Sequence, residues 1–119
     1  MSNYDEIKTT IFKYFNGLCN VNREMLEEAF AVSSAHMKGY LQDESGKFIL
    51  SVRPMNEVID EWVAREPAPH MTGKIIAINI YSDIAATALF DFNGVFTDAF
   101  QLAKIDGQWK IINKFYTNK

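Results

Sequence analysis

Asp98 stands between Phe96 and Phe100 in the run "FTDAF", a carboxylate on the strand face that otherwise collects aromatic and aliphatic side chains. Burial beside aromatic rings raises a carboxyl pKa, and an acid held near its titration point can give or take a proton at neutral pH. The same carboxylate can instead accept hydrogen bonds from a helix N-terminus or from Tyr14 and simply hold the fold together. His36 opens the strand-like run "HMKGYLQ" and, if it faces Asp98, completes an acid–base dyad; its facing is left open, because the helical pattern ending at Phe30 lies just upstream. Tyr14, Trp62, Phe100 and Phe115 supply ring faces for a flat apolar ligand, and Asn113 supplies a buried amide that needs a partner. Tyr14 and Trp62 also fall at helical spacing, where aromatics ordinarily pack in a core.

Other chemistries lack their residues. His36 and His70 have no nearby cysteine or carboxylate at ligand spacing, so no intrinsic metal is expected. Cys19 is the single cysteine and reads as a small buried side chain. Gly39, Gly46, Gly73, Gly94 and Gly107 stand singly, with neither a phosphate-binding loop nor a G-x-S-x-G elbow, so no nucleotide-dependent or serine-hydrolase chemistry and no cofactor is expected.

The elements that must position these groups follow from periodicity. The chain has 119 residues, 48% hydrophobic, which suits one domain over residues 1–119. A net charge of -3 offers no basic stripe, so nucleic-acid and anionic-membrane partners are disfavoured. No signal-like or membrane-length apolar run is present, and a cytoplasmic location is expected. Ile7, Ile11, Tyr14, Phe15 and Leu18 define a helix from about Asp5 to Cys19; Asn22 caps a short second helix; Pro54 opens a third that carries Met55, Val58, Ile59, Trp62 and Val63. A hairpin turning at "DESG" separates the second and third helices.

Four strands follow, turning at Ser82-Asp83, Asn93-Gly94 and Asp106-Gly107. Two-residue loops there pair Tyr81 with Ile84, Phe92 with Val95 and Ile105 with Gln108. That register sends Ile76, Ile78, Ile80, Thr87, Leu89, Asp91, Phe96, Asp98, Phe100, Leu102, Trp109, Ile111, Asn113 and Phe115 toward the helices. The opposite face, with Phe90, Phe92, Ala99, Lys114 and Tyr116 among its members, is too apolar for plain solvent and is expected to be covered by a second copy of the chain.

The runs "TIFKYFNGLCNVNREMLEEAF", "GKIIAINIYSDIAATALFDF" and "FTDAFQLAKIDGQWKIINKF" resemble the nuclear transport factor 2-like superfamily over nearly the whole chain. Tyr14, Gly17, the "EEAF" ending at Phe30, Phe96 to Asp98 and "DGQWKIINK" resemble its putative lumazine-binding branch, related to SnoaL-like proteins. The resemblance implies an α+β cone in which a strongly bent antiparallel sheet wraps three helices and leaves a cavity at its wide end, commonly in a homodimer. It implies a small-ligand-binding domain, or a cofactor-free isomerase, dehydratase or cyclase acting through Asp98 with or without His36; whether any reaction is catalysed stays open. An interaction module using the outer sheet face is the third reading. The ligand-binding expectation names Tyr14, Trp62, Asp98, Phe100, Asn113 and Phe115, with Asp98→Asn altering ligand binding more than folding.

Overall fold

Ser2 starts the first helix. Its hydroxyl accepts the Asp5 N–H at 3.1 Å, so α1 runs Asn3–Cys19, beginning two residues earlier than periodicity alone predicts. In this computed structural model, which describes residues 1–119, Ile7, Ile11, Tyr14 and Phe15 of α1 are buried. Asn22 caps α2 (Arg23–Ala29), its side chain accepting from Met25 N–H at 3.1 Å. Then come β1 (His36–Gln42) and β2 (Phe48–Pro54), antiparallel partners across the "DESG" turn. Pro54 ends β2 in extended geometry and caps α3 (Met55–Trp62) from outside, where its missing N–H costs the helix nothing. Met55, Val58, Ile59 and Trp62 form the buried stripe of that helix.

The remaining strands are β3 (Gly73–Ser82), β4 (Ala85–Phe92), β5 (Phe96–Ile105) and β6 (Gln108–Asn118). All six strands join one sheet in the order β2-β1-β6-β5-β4-β3, antiparallel throughout except for β1 against β6. The helices lie on one face, with Phe30, Phe90, Phe100 and Ile111 fully buried between the layers. The outer edge strand β2 leaves Phe48, Ile49, Leu50 and Val52 exposed.

The register departs from the two-residue-loop expectation in all three hairpins, at the turn in the first two and inside the ladder in the third, and a one-residue slip exchanges a strand's faces. Asn93 and Gly94 take φ of 55° and 69°, and Val95 N–H bonds Phe92 O at 3.0 Å, as a tight turn requires. Yet the ladder pairs Phe92 with Phe96, because the Val95 carbonyl accepts instead from Lys119 N–H at 2.8 Å. Thr87, Leu89 and Asp91 therefore leave the helix-facing side, and Ala86, Ala88, Phe90 and Phe92 take it. On β3 the pairing shifts between Ile75 and Ala77 and again between Ile80 and Ser82. Ile75 and Ile78 consequently pack on the core, while Ile76 and Ile80 stay exposed.

The Asp106-Gly107 turn pairs Ile105 with Gln108 as expected, and Leu102 still meets Ile111. The next pair is Gln101 with Asn113, so Ile112 is an extra residue on β6. Beyond it Lys114 and Tyr116 share the inner face with Asp98 and Phe100, and Asn113 and Phe115 move to the outer face.

Gly73 is where β3 passes against the helix layer. A Cβ there would lie 2.5 Å from Phe90 Cζ and 2.9 Å from Phe15 Cδ1, inside van der Waals contact with two core rings. Gly73→Ala is expected to cost about 1–3 kcal/mol through overpacking, read as a lowered urea midpoint at unchanged slope.

Candidate functional site

The bulge at Ile112 builds the site, because it turns Lys114 inward to meet Asp98. Lys114 Nζ lies 3.3 Å from Asp98 Oδ1, and the Tyr14 hydroxyl donates to Asp98 Oδ2 at 2.8 Å. The two charged side chains are 6% and 1% exposed, so the pair is screened from water by protein on almost every side. Lys114 is further enclosed by aromatic faces: Nζ is 4.2 Å from the Tyr116 ring centre, 5.6 Å from Tyr14 and 5.8 Å from Trp62. Desolvated cation–π contacts of this kind contribute about 2 kcal/mol. Its remaining polar neighbour is Met37 Sδ at 3.7 Å, placed there by the parallel pairing of β1 with β6.

Burial governs the electrostatics. Loss of water pushes the Asp98 carboxyl up and the Lys114 ammonium down, while their mutual attraction and the Tyr14 hydrogen bond oppose those shifts. The Tyr14 hydroxyl is held well above its ordinary range, first by burial and then by the neighbouring Asp98 charge. With Lys114 titrating below 10.5 in the folded chain, the unfolded chain binds more protons between those two values. The Lys114 contribution to stability should therefore rise with pH through that window, against the opposite contribution of the raised Tyr14 hydroxyl above 10.0, and the Lys114 rise should be missing from Lys114→Met when both are melted in urea at stepped alkaline pH.

The triad sits at the inner end of a cavity of about 380 Å³. Tyr14 and Leu18 of α1, Trp62 at the end of α3, Met37 of β1, and Phe92, Phe96 and Tyr116 of the sheet supply its apolar wall. At its rim Arg53 and Arg65 share the carboxylate of Glu61, at 2.8 Å and 2.9 Å. These three side chains are 37–58% exposed, in contrast to the floor. Arg53, ahead of Arg65, holds the Glu61 carboxyl below its usual range.

Of the residues named from sequence, Tyr14, Trp62 and Asp98 line this cavity. Phe100 packs behind them, buried with its ring centre 5.5 Å from that of Tyr14. Asn113 and Phe115 lie on the opposite face, carried there by the Ile112 bulge, and border a shallow groove with Leu89, Ala99 and Gln101. His36 is exposed at the start of β1, and Met37 takes the inward position beside Lys114, so the fold does not bring His36 and Asp98 together as a dyad. His70 is exposed in the loop after α3. Cys19 is buried, and burial pushes its thiol up, away from reactivity.

Sequence reasoning missed Lys114 and Tyr116. The available signal was the doublet Ile111-Ile112, two consecutive apolar residues inside an alternating strand, which is how an inserted residue shows itself. No group of three or more His, Cys, Asp or Glu side chains could hold a metal, and no helix is long and apolar enough to cross a membrane.

Three helices against a curved six-stranded sheet, with a cavity between the layers, define the nuclear transport factor 2-like class of α+β folds. The family model described as "Putative lumazine-binding" matches residues 2–117, and the chain belongs to that family. Among solved structures it is similar to a nuclear transport factor 2-like protein of unknown function from Shewanella baltica. That match has 29% identity, a TM-score of 0.81, and coverage of 98% of this chain and 93% of the other. A counterpart from Methylobacillus flagellatus has 27% identity, a TM-score of 0.81 and coverage of 100% and 95%. A ketosteroid isomerase-like protein from Erwinia carotovora atroseptica shares the fold at 12% identity, with a TM-score of 0.63 and coverage of 96% and 94%. No curated protein matches the sequence.

Proposed function

We propose that this protein binds a small, flat, ring-containing molecule in the cavity between α1, α3 and the sheet. The observation that carries the reading is the buried Asp98–Lys114 pair at the inner end of an otherwise aromatic enclosure. Ring faces take an apolar plane, and a few convergent polar groups orient it, which is the usual economy of ligand pockets of about 300–1,000 Å³. Lys114 offers a cationic donor, Asp98 an acceptor and Tyr14 a hydroxyl, so a heterocycle carrying carbonyl and N–H groups finds complementary partners. The family's description, which names lumazine, supports the same ligand class.

Native mass spectrometry of freshly purified protein tests this. A retained mass lost on denaturation, and reduced in a Tyr116→Ala variant, is the expected result. An empty protein that also fails to bind a panel of pteridine and flavin-sized heterocycles would overturn it.

A homodimer through the outer sheet face belongs to the same reading. Phe115 and Leu89 remain 37% and 39% exposed there, so the face offers apolar area to a second copy. Sedimentation at micromolar concentration should show two copies, and a strict monomer would remove the proposal.

A further inference from the structure

Lys114 is the one buried lysine of the chain, and its surroundings are unlike those of a structural ion pair. An ammonium has three protons to donate. Here Nζ has one carboxylate oxygen at 3.3 Å, a thioether sulfur at 3.7 Å, and ring faces. It also lines the cavity, with Asp98 and Tyr14 lining it alongside.

We propose that Lys114 is an imine-forming residue, whose Nζ condenses with the carbonyl carbon of a small aldehyde or ketone held in the cavity. This rests on the ligand-binding reading above and assigns that site a covalent chemistry. The ammonium first passes a proton to Asp98 Oδ1, its nearest base. The freed lone pair attacks the carbonyl carbon, forming the C–N bond as the carbonyl π pair moves to oxygen, which takes the proton back from Asp98. The attacking nitrogen, now bearing an extra proton, gives it to Asp98. The C–O bond of the resulting carbinolamine then breaks, and the hydroxyl leaves as water with the proton that Asp98 returns. The nitrogen lone pair closes the C=N bond. The sum is one ammonium and one carbonyl giving one iminium and one water, with Asp98 ending as the carboxylate it was.

Two features favour the forward direction. The aromatic enclosure excludes the bulk water that would hydrolyse the imine, and the same ring faces that surround the ammonium would surround the iminium cation. Burial also lowers the cost of the neutral amine, the nucleophilic form of lysine.

The test uses benzaldehyde as probe and sodium cyanoborohydride to fix any imine as a stable secondary amine, on the wild-type protein at neutral pH. Peptide mapping then locates the adduct while tryptophan fluorescence follows occupancy of the cavity beside Trp62. Lys114 is expected to be modified severalfold faster than any exposed lysine, because burial favours its neutral, nucleophilic amine. Quenching with adducts confined to exposed lysines or Met1 would overturn the imine chemistry while leaving cavity binding standing. Neither quenching nor an adduct at Lys114 would overturn the imine and count against the aromatic-ligand reading as well. An adduct at Lys114 that persists in Asp98→Asn at an unchanged rate would keep the imine but overturn the proton-carrying role of Asp98.

Discussion

Asp98→Asn is expected to cost the folded state about 3–5 kcal/mol, the usual penalty for removing one partner of a buried ion pair. Asparagine fills the same space and can still accept from the Tyr14 hydroxyl, so packing hardly changes. What changes is that the Lys114 ammonium, 6% exposed, loses the only carboxylate within reach. It must then either stay charged in a site with little water or shed its proton, and both options raise the free energy of the native chain. The sequence-based expectation that this substitution disturbs ligand binding more than folding rests on a register that puts Lys114 on the other side of the sheet, and so leaves out the ion pair. Urea denaturation of Asp98→Asn, Lys114→Met and the double variant closes a thermodynamic cycle. The double variant should recover most of the loss, because methionine replaces the stranded cation with apolar volume. A single Asp98→Asn variant within about 1 kcal/mol of wild type would mean that the pair contributes little as a pair.

Trp62→Ala is expected to cost a similar amount, about 3–5 kcal/mol, and to abolish retention of an aromatic ligand. The indole is 5% exposed, packs its ring centre 5.9 Å from Tyr14 and 6.2 Å from Phe30, and forms one wall around Lys114. Because it is the last residue of α3, its loss also loosens the helix from the sheet. Trp62→Phe keeps a ring there and should restore most of the stability but only part of the affinity. Denaturation midpoints and native mass spectra of the two variants separate packing from recognition; equal ligand retention in wild type and Trp62→Ala would show that the ligand lies elsewhere.

The helices were legible in the sequence because their signals are local: Asn22 as a cap, the stripe from Met55 to Trp62, and the aromatic run of α1 all report on neighbours within a turn or two. The strands were legible as strands, and Asp98 as an inward carboxylate, for the same reason. Facing on the rest of the sheet was not, because alternation transmits one inserted residue to everything beyond it. Ile112 reversed Asn113 through Tyr116, and the pairing of Phe92 with Phe96 reversed β4. The site suffered most, since Lys114 and Tyr116 lie just past a bulge. The facing of His36, left open by the sequence, has a related origin: β1 is oriented by its parallel partner β6, a long-range pairing with no local trace.

That parallel pairing also orders events in time. The strand between β1 and β5 is β6, the last element along the chain, so the β1–β2 hairpin and the β3–β5 meander have no common edge until residues 108–118 are in place. Each half made earlier has an open edge, and one of those halves carries the exposed Phe48, Ile49, Leu50 and Val52. A ribosome-bound or C-terminally clipped chain should therefore be a chaperone client prone to strand-mediated clumping, and completion of the sheet and assembly of the lysine site should appear in a single late kinetic step.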